Sequence, residues 1–201
     1  MAGHAAGQGE DAPPARPVRA DAQRNIDALL AAALAVFAAS GVDAPVREIA
    51  AKAGVGVGTL YRHFPTRADL IAAVFRREID ACADAAVTLA GQHPPGEALA
   101  LWMQRFAAFI ATKRGLAAAL HSGDPAYEPL PGHFEQRLTP ALRNLLATAV
   151  AAGQVRGDIE AEELLDAAAR LCMRARDDQP GHAGRMVGLL VDGLRYGAGT
   201  G

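Results

Sequence analysis

The chain has 201 residues, 51% of them hydrophobic, enough for a substantial core without disulfide or metal staples. Alanine dominates and aromatic residues make up only 5%, which favours helix nearly everywhere and leaves no segment that reads as a strand. A formal net charge of −2 excludes a protein that coats nucleic acid over its whole surface, so any such contact has to be local.

Residues 1–20 mix Gly, Pro and charge and lack the continuous apolar run of a signal peptide, so they are expected to form a disordered tail. No later stretch reads as long and uncharged enough to cross a bilayer. Cys82 and Cys172 lie far apart in apolar helical sequence and read as reduced, buried thiols, which points to the cytoplasm. From Asp21, the residues Ile26, Leu30, Ala33, Leu34 and Phe37 recur at three- and four-residue steps, predicting a first helix that ends at Ser40 and Gly41. Pro45 fits the first turn of a second, short helix with Ile49 and Ala50 facing inward, and Gly54 stops it. Val55 and Leu60 serve a third short helix, which Pro65 ends.

Helices of two turns do not persist alone, and Phe37, Ile49, Val55, Leu60 and Phe64 are the natural shared core. Thr66 followed by Asp69 forms a capping-box start to a fourth helix, running from about Arg67 to the "GQHPPG" break. Beyond it the sequence predicts a helix over "EALALWMQRFAAFIATKR", a short piece around "LAAAL" and a Pro/Gly-rich loop over 122–132. A long helix then runs through "FEQRLTPALRNLLATAVAAGQ", kinked or restarted at Pro140, followed by helices over 161–176 and roughly 184–196. The predicted fold is all-α: a tail over 1–20, a three-helix unit over 21–66 and a helical bundle over 67–201, joined through helix four.

The window "REIAAKAGVGVGTLYRHFPTRADL", 47–70, departs from this generic pattern. Two helices joined by a short glycine-containing turn can present the second to the major groove of DNA, and Gly54 supplies the positive φ the turn needs. With Leu60 and Phe64 inward, Val57, Gly58, Thr59, Tyr61, Arg62 and His63 remain outward. Thr59, Tyr61 and His63 can donate to phosphate oxygens, and Gly58 leaves room for the duplex to approach the backbone. Arg47, Val57 and Arg62 are the candidate base readers, because Arg bonds guanine bidentately and a Val methyl packs on a thymine methyl. Arg67, at the start of helix four, is placed to clamp a phosphate with the help of the helix dipole. Arg16, Arg19 and Arg24 read as solvated, with a minor-groove arm as the alternative.

These residues resemble the TetR family of transcriptional regulators, whose pattern here is close to "IAxxAGVSxGTLYxHFxxKxxL". The similarity covers Ile26 to about Val74, and the remaining bundle only in length and helix order. It implies phosphate contacts at Thr59, Tyr61, His63 and Arg67, and base contacts at Arg47, Val57 and Arg62. Gly56 stands where the family has a Ser cap, and Ala44 and Pro45 stand where helix two usually starts with Thr, so two hydroxyl contacts to phosphate are absent.

A single short helix reads few base pairs, so operator selectivity calls for a two-fold homodimer. Apolar faces for it are offered by Leu164, Leu165, Ala168 and Leu171, and by Met186, Leu189, Leu190 and Leu194, with Gly184 and Gly188 letting a partner helix come close. A ligand chamber between helices is expected from Trp102, Met103, Phe106, Phe109 and Ile110, completed by His121, Tyr127, Phe134, Leu138, Leu142, Cys172 and Met173. His121, Asp124, Glu128, His133 and Glu135 lack any zinc-type spacing and read as solvated, so no metal and no cofactor are expected.

The reading is a ligand-responsive regulator, a repressor released from a palindromic double-stranded DNA operator by a small-molecule effector, with no membrane association and no enzymatic activity. The alternatives are a small-molecule binding protein that regulates through a protein partner, and a metal-dependent hydrolase built on His121 and His133.

Overall fold

The computed structural model describes residues 16–120, 122–173 and 181–196, without the side chains of 16–20 and 112–118. Among these residues there are eight α-helices, one 3₁₀ turn and no strand.

Helix α1, Arg16–Ser40, starts five residues ahead of the expected Asp21. It buries Leu29, Leu30, Ala33, Val36 and Phe37 along one face. Its stop is glycine-driven: Gly41 takes φ 79° while its amide donates to the Phe37 carbonyl at 3.0 Å. Contrary to the sequence expectation, Asp21–Ser40 is long and apolar enough to cross a membrane by length and composition alone. One face of it packs against α2 and α4.

Helix α2, Val46–Lys52, has Pro45 just outside it as the N-cap rather than inside its first turn. Ile49 and Ala50 are almost wholly buried. Its end is a Schellman turn: Val55 N–H donates to the Ala50 carbonyl at 3.0 Å, Gly54 N–H to Ala51 at 3.1 Å, and Gly54 sits at φ 71°. That turn leads into α3, Val57–His63, capped only by the backbone of Gly56.

Helix α4, Arg67–Gln92, opens on the predicted capping box, with Asp69 N–H donating to Thr66 Oγ1 at 3.0 Å and Thr66 N–H to Asp69 Oδ2 at 2.9 Å. Its early turns carry α1, and its later turns pack on α5, Pro95–Leu120, and α6, Leu130–Ala151. Helix α5 absorbs the separate "LAAAL" piece that the sequence suggested. An interior glycine costs only about 1 kcal/mol, too little to break a helix buried among α4, α6, α7 and α8. The expected loop over 122–132 holds a 3₁₀ turn, Pro125–Tyr127, and its last three residues already belong to α6. Pro140 lies inside α6 without ending it.

Helices α7, Ala161–Met173, and α8, His182–Arg195, close the bundle against α5. The expected extension of α7 to 176 lies outside the described residues.

Candidate nucleic-acid interface and ligand cleft

Packing decides which side of α3 faces out. Leu60 and Phe64, one turn apart, are 1% and 7% exposed against the core that Phe37 and Ile49 share. The opposite ridge holds Gly58, Tyr61 and Arg62, all exposed, with Val57, Thr59 and His63 half-buried at its flanks. Tyr61 is 46% exposed, unusual for a large ring on a helix of seven residues. At Gly58 an added Cβ would meet no atom of the chain within 4 Å, so the space above it is open.

The charge on this surface opposes that of the whole chain. From Ala44 to Arg67 the cations are Arg47, Lys52, Arg62 and Arg67, and the only carboxylate is Glu48. Arg47 and Lys52 are exposed on α2 beside α3, and Lys52 had not been singled out from sequence. A basic, aromatic-bearing helix face of this kind suits phosphate oxygens and base edges.

Arg67, the expected phosphate clamp, is held within the chain. Its Nη1 donates to the Ala44 carbonyl at 2.8 Å and to the Val42 carbonyl, on a half-buried side chain. These carbonyls belong to the turn between α1 and α2, which has no helical partners of its own for them. Arg67 therefore ties the first turn of α4 to the three-helix unit.

The expected ligand chamber is mostly filled core. Trp102, Met103, Phe106, Leu138, Leu142 and Cys172 have no solvent exposure, and Phe109 and Ile110 have almost none. Trp102 stacks on Phe106 with centroids 5.7 Å apart and 9° between planes, and its indole N–H donates to the Cys82 carbonyl at 2.9 Å. Phe106, Phe109 and Phe134 complete the aromatic cluster, with Phe75 stacked on Phe109 at 5.4 Å. Met173 is 42% exposed because the inward row of α7, running through Leu165, Ala168 and Cys172, passes it by. His121 lies outside the described residues.

Open space lies instead at one edge of this cluster. Phe75, Leu120, Tyr127, Leu130, Pro131, Phe134 and Glu135 line a cleft of about 270 Å³ where α4, the end of α5, the 3₁₀ turn and α6 meet. Only Tyr127 and Phe134 of the expected set line it. Phe75 was visible in the sequence as a large apolar residue on α4, but nothing there separated cleft from core. The Tyr127 hydroxyl has no hydrogen-bond partner among the described residues. Burial, then the Asp124 and Asp69 carboxylates, hold its pKa above the usual tyrosine value. A second, shallower cleft of about 530 Å³ lies between α6 and α7, along Phe134, Thr139 and Leu165.

Other sequence candidates resolve into packing. Gly184 and Gly188 face Gln104 of α5, not an open surface: Gln104 Nε2 donates to the Gly184 carbonyl at 3.0 Å, and a Cβ at 184 would lie 3.0 Å from Gln104 Oε1. Leu164, Leu165, Ala168 and Leu194 are buried within the chain, whereas Leu171 and Leu189 are exposed at 37% and 64%. His133 engages Asp80 at 2.9 Å, and Arg137 bridges Asp80 and Asp84 at 2.7 and 2.6 Å, so α4 and α6 are clasped by charge. No group of three potential metal ligands gathers among the described residues. Burial pushes the Cys82 thiol up to about 12, partly opposed by Arg105.

A family model described as bacterial regulatory proteins of the tetR family matches residues 29–74. A second, the C-terminal domain of SbtR-like transcriptional regulators, matches residues 94–196. No curated protein matches the chain. Among solved structures, a TetR transcriptional regulator from Streptomyces coelicolor is 40% identical over 86% of this chain and 99% of its own, with a TM-score of 0.73. A TetR transcription regulatory protein from Mycobacterium vanbaalenii is 38% identical over 90% of this chain and 100% of its own, also at 0.73. The transcriptional regulator FadR from Bacillus subtilis, solved with stearoyl-CoA, is 18% identical over 85% of this chain and 98% of its own, at 0.61, and shares the fold.

Proposed function

This chain belongs to the TetR family of DNA-binding transcriptional regulators, and we propose that within it the protein is a cytoplasmic, non-enzymatic repressor that a small molecule releases from a palindromic operator. The observation that carries the reading is the continuity of α4. One 26-residue helix is fastened at its start to the DNA-binding unit, through the Arg67 bonds to the Val42 and Ala44 carbonyls, and lines the cleft through Phe75 two turns later. A ligand that binds better when α4 is tilted shifts the population toward that tilt, and the tilt carries α3 with it.

The protein acts as a homodimer in this account, because one short α3 reads too few base pairs for operator selectivity and two copies double the site. The exposed Leu171, Met173 and Leu189 on α7 and α8 support a face shared between copies. Thr59, Tyr61 and His63 contact phosphates, and Arg47, Val57 and Arg62 reach base edges; Gly58 admits the duplex close to the backbone.

The test is selection of bound fragments from a genomic DNA pool, followed by mobility shifts across a salt series. Specific binding with steep salt dependence supports the proposal, because neutralised phosphates release counterions. Recovery of no enriched sequence contradicts it.

A further inference from the structure

The ligand cleft carries a chemical preference in its lining. Three aromatic rings, Phe75, Tyr127 and Phe134, with Leu120 and Leu130, give an apolar interior. The single ionisable carboxylate on the wall is Glu135, exposed and with no ion-pair partner among the described residues. Among the described residues no Lys, Arg or His lines the cleft. The neighbouring basic side chains are engaged elsewhere: His133 meets Asp80, and Arg137 bridges Asp80 and Asp84. Asp124 and Asp69 add further negative charge on the Tyr127 side.

A ligand acid would bring its charge against this field, where the one side-chain donor among the described lining residues is the Tyr127 hydroxyl. An ammonium finds a carboxylate, and aromatic rings attract cations lying within about 6 Å of their faces. Volume matters as well: about 270 Å³ lies just below the roughly 300 Å³ at which ligand clefts usually begin, so the body is compact rather than a long chain.

We propose that the cleft binds a lipophilic amine, its apolar or aromatic body seated among Phe75, Leu130 and Phe134 and its ammonium at the mouth beside Glu135. This ligand class presupposes the ligand-responsive regulation proposed above. The Tyr127 hydroxyl offers a second anchor to any acceptor on the ligand body. It also joins the cleft to the 3₁₀ turn, which packs on α4.

Three probes with one body and different heads test the proposal: 4-phenylbutylamine, 4-phenylbutanol and 4-phenylbutyrate, titrated calorimetrically into the full chain. The amine is expected to bind at least about tenfold tighter than the alcohol, with the acid weakest, as a charge-assisted contact implies. Glu135→Gln, at an exposed position, is expected to bring the amine to the alcohol's level and leave the alcohol unchanged, with circular dichroism confirming the fold. Acid binding equal to or tighter than amine, an amine affinity indifferent to Glu135→Gln, or no binding by any of the three overturns the proposal. Mobility shifts with the selected DNA separate this from the broader reading. Amine binding that leaves DNA affinity unchanged supports the cleft's chemistry and counts against ligand-responsive release. DNA release by the alcohol or the acid alone overturns the amine class and leaves ligand-responsive release standing.

Discussion

Replacing Arg67 by Met keeps the length of the side chain and deletes its donors to the Val42 and Ala44 carbonyls. A hydrogen bond from a charged donor is worth about 1.5–3 kcal/mol when well desolvated, and the two bonds share one nitrogen on a half-buried side chain. The expected loss is therefore about 1–2 kcal/mol of unfolding free energy, a sizeable part of a typical total of roughly 5–15 kcal/mol. Urea unfolding of the wild type and Arg67→Met gives that number, and a DNA titration across salt concentrations gives the second readout. With Arg67 as an internal tie, affinity falls because α3 is less firmly held, while the slope of log affinity against log salt is unchanged. If stability is unaffected and the slope shrinks by about 0.9 for each protomer, Arg67 is a phosphate ligand and the tie is of no consequence.

Gly56→Ser should stabilise α3 by a few tenths of a kcal/mol, since the position already has the extended geometry of a cap and an added Cβ meets nothing within 4 Å. Thermal unfolding checks it, and a tighter DNA complex is expected from the hydroxyl the family pattern has there. Gly184→Val puts a Cβ 3.0 Å from Gln104 Oε1, forces that side chain off its bond to the Gly184 carbonyl and should cost about 1 kcal/mol while leaving the oligomeric state unchanged by size-exclusion chromatography. A change of oligomeric state without loss of stability would put that glycine at the partner's surface instead. The Cys82 thiol, raised to about 12, stays un-ionised at pH 8 and should be inert to a disulfide reagent until the chain is unfolded in denaturant. Rapid labelling of Cys82 in the native protein would contradict that burial.

The helix-turn-helix unit was legible because its determinants are local. Gly41 and Gly54 stop helices by adopting positive φ, and Thr66 with Asp69 starts one through a box that closes within three residues. Even the outward set on α3 follows from the four-residue spacing of Leu60 and Phe64. The cleft beside Phe75 was not legible, for a physical reason. Trp102 and Phe106 show the same apolar spacing whether they line a void or fill one, and only the packing of Phe106 against Phe109 and Phe134 decides. Glycine at 184 and 188 read as room for a partner helix, whereas the neighbour each meets, 3.0 and 3.6 Å from an added Cβ, is Gln104 of the same chain. For Arg67 the sequence supplied a helix start and a charge, while the carbonyls that take the charge lie 23 and 25 residues away.

The central claim is that the outward face of α3, twice per assembly, reads DNA sequence. Its most direct test is footprinting of the selected DNA by the wild type and by Arg62→Ala. The account predicts two symmetric protected half-sites about one helical turn apart, and a loss of roughly 1–3 kcal/mol with relaxed preference at one base pair in each half-site. A single unpaired footprint, or equal weakening on every sequence, contradicts it.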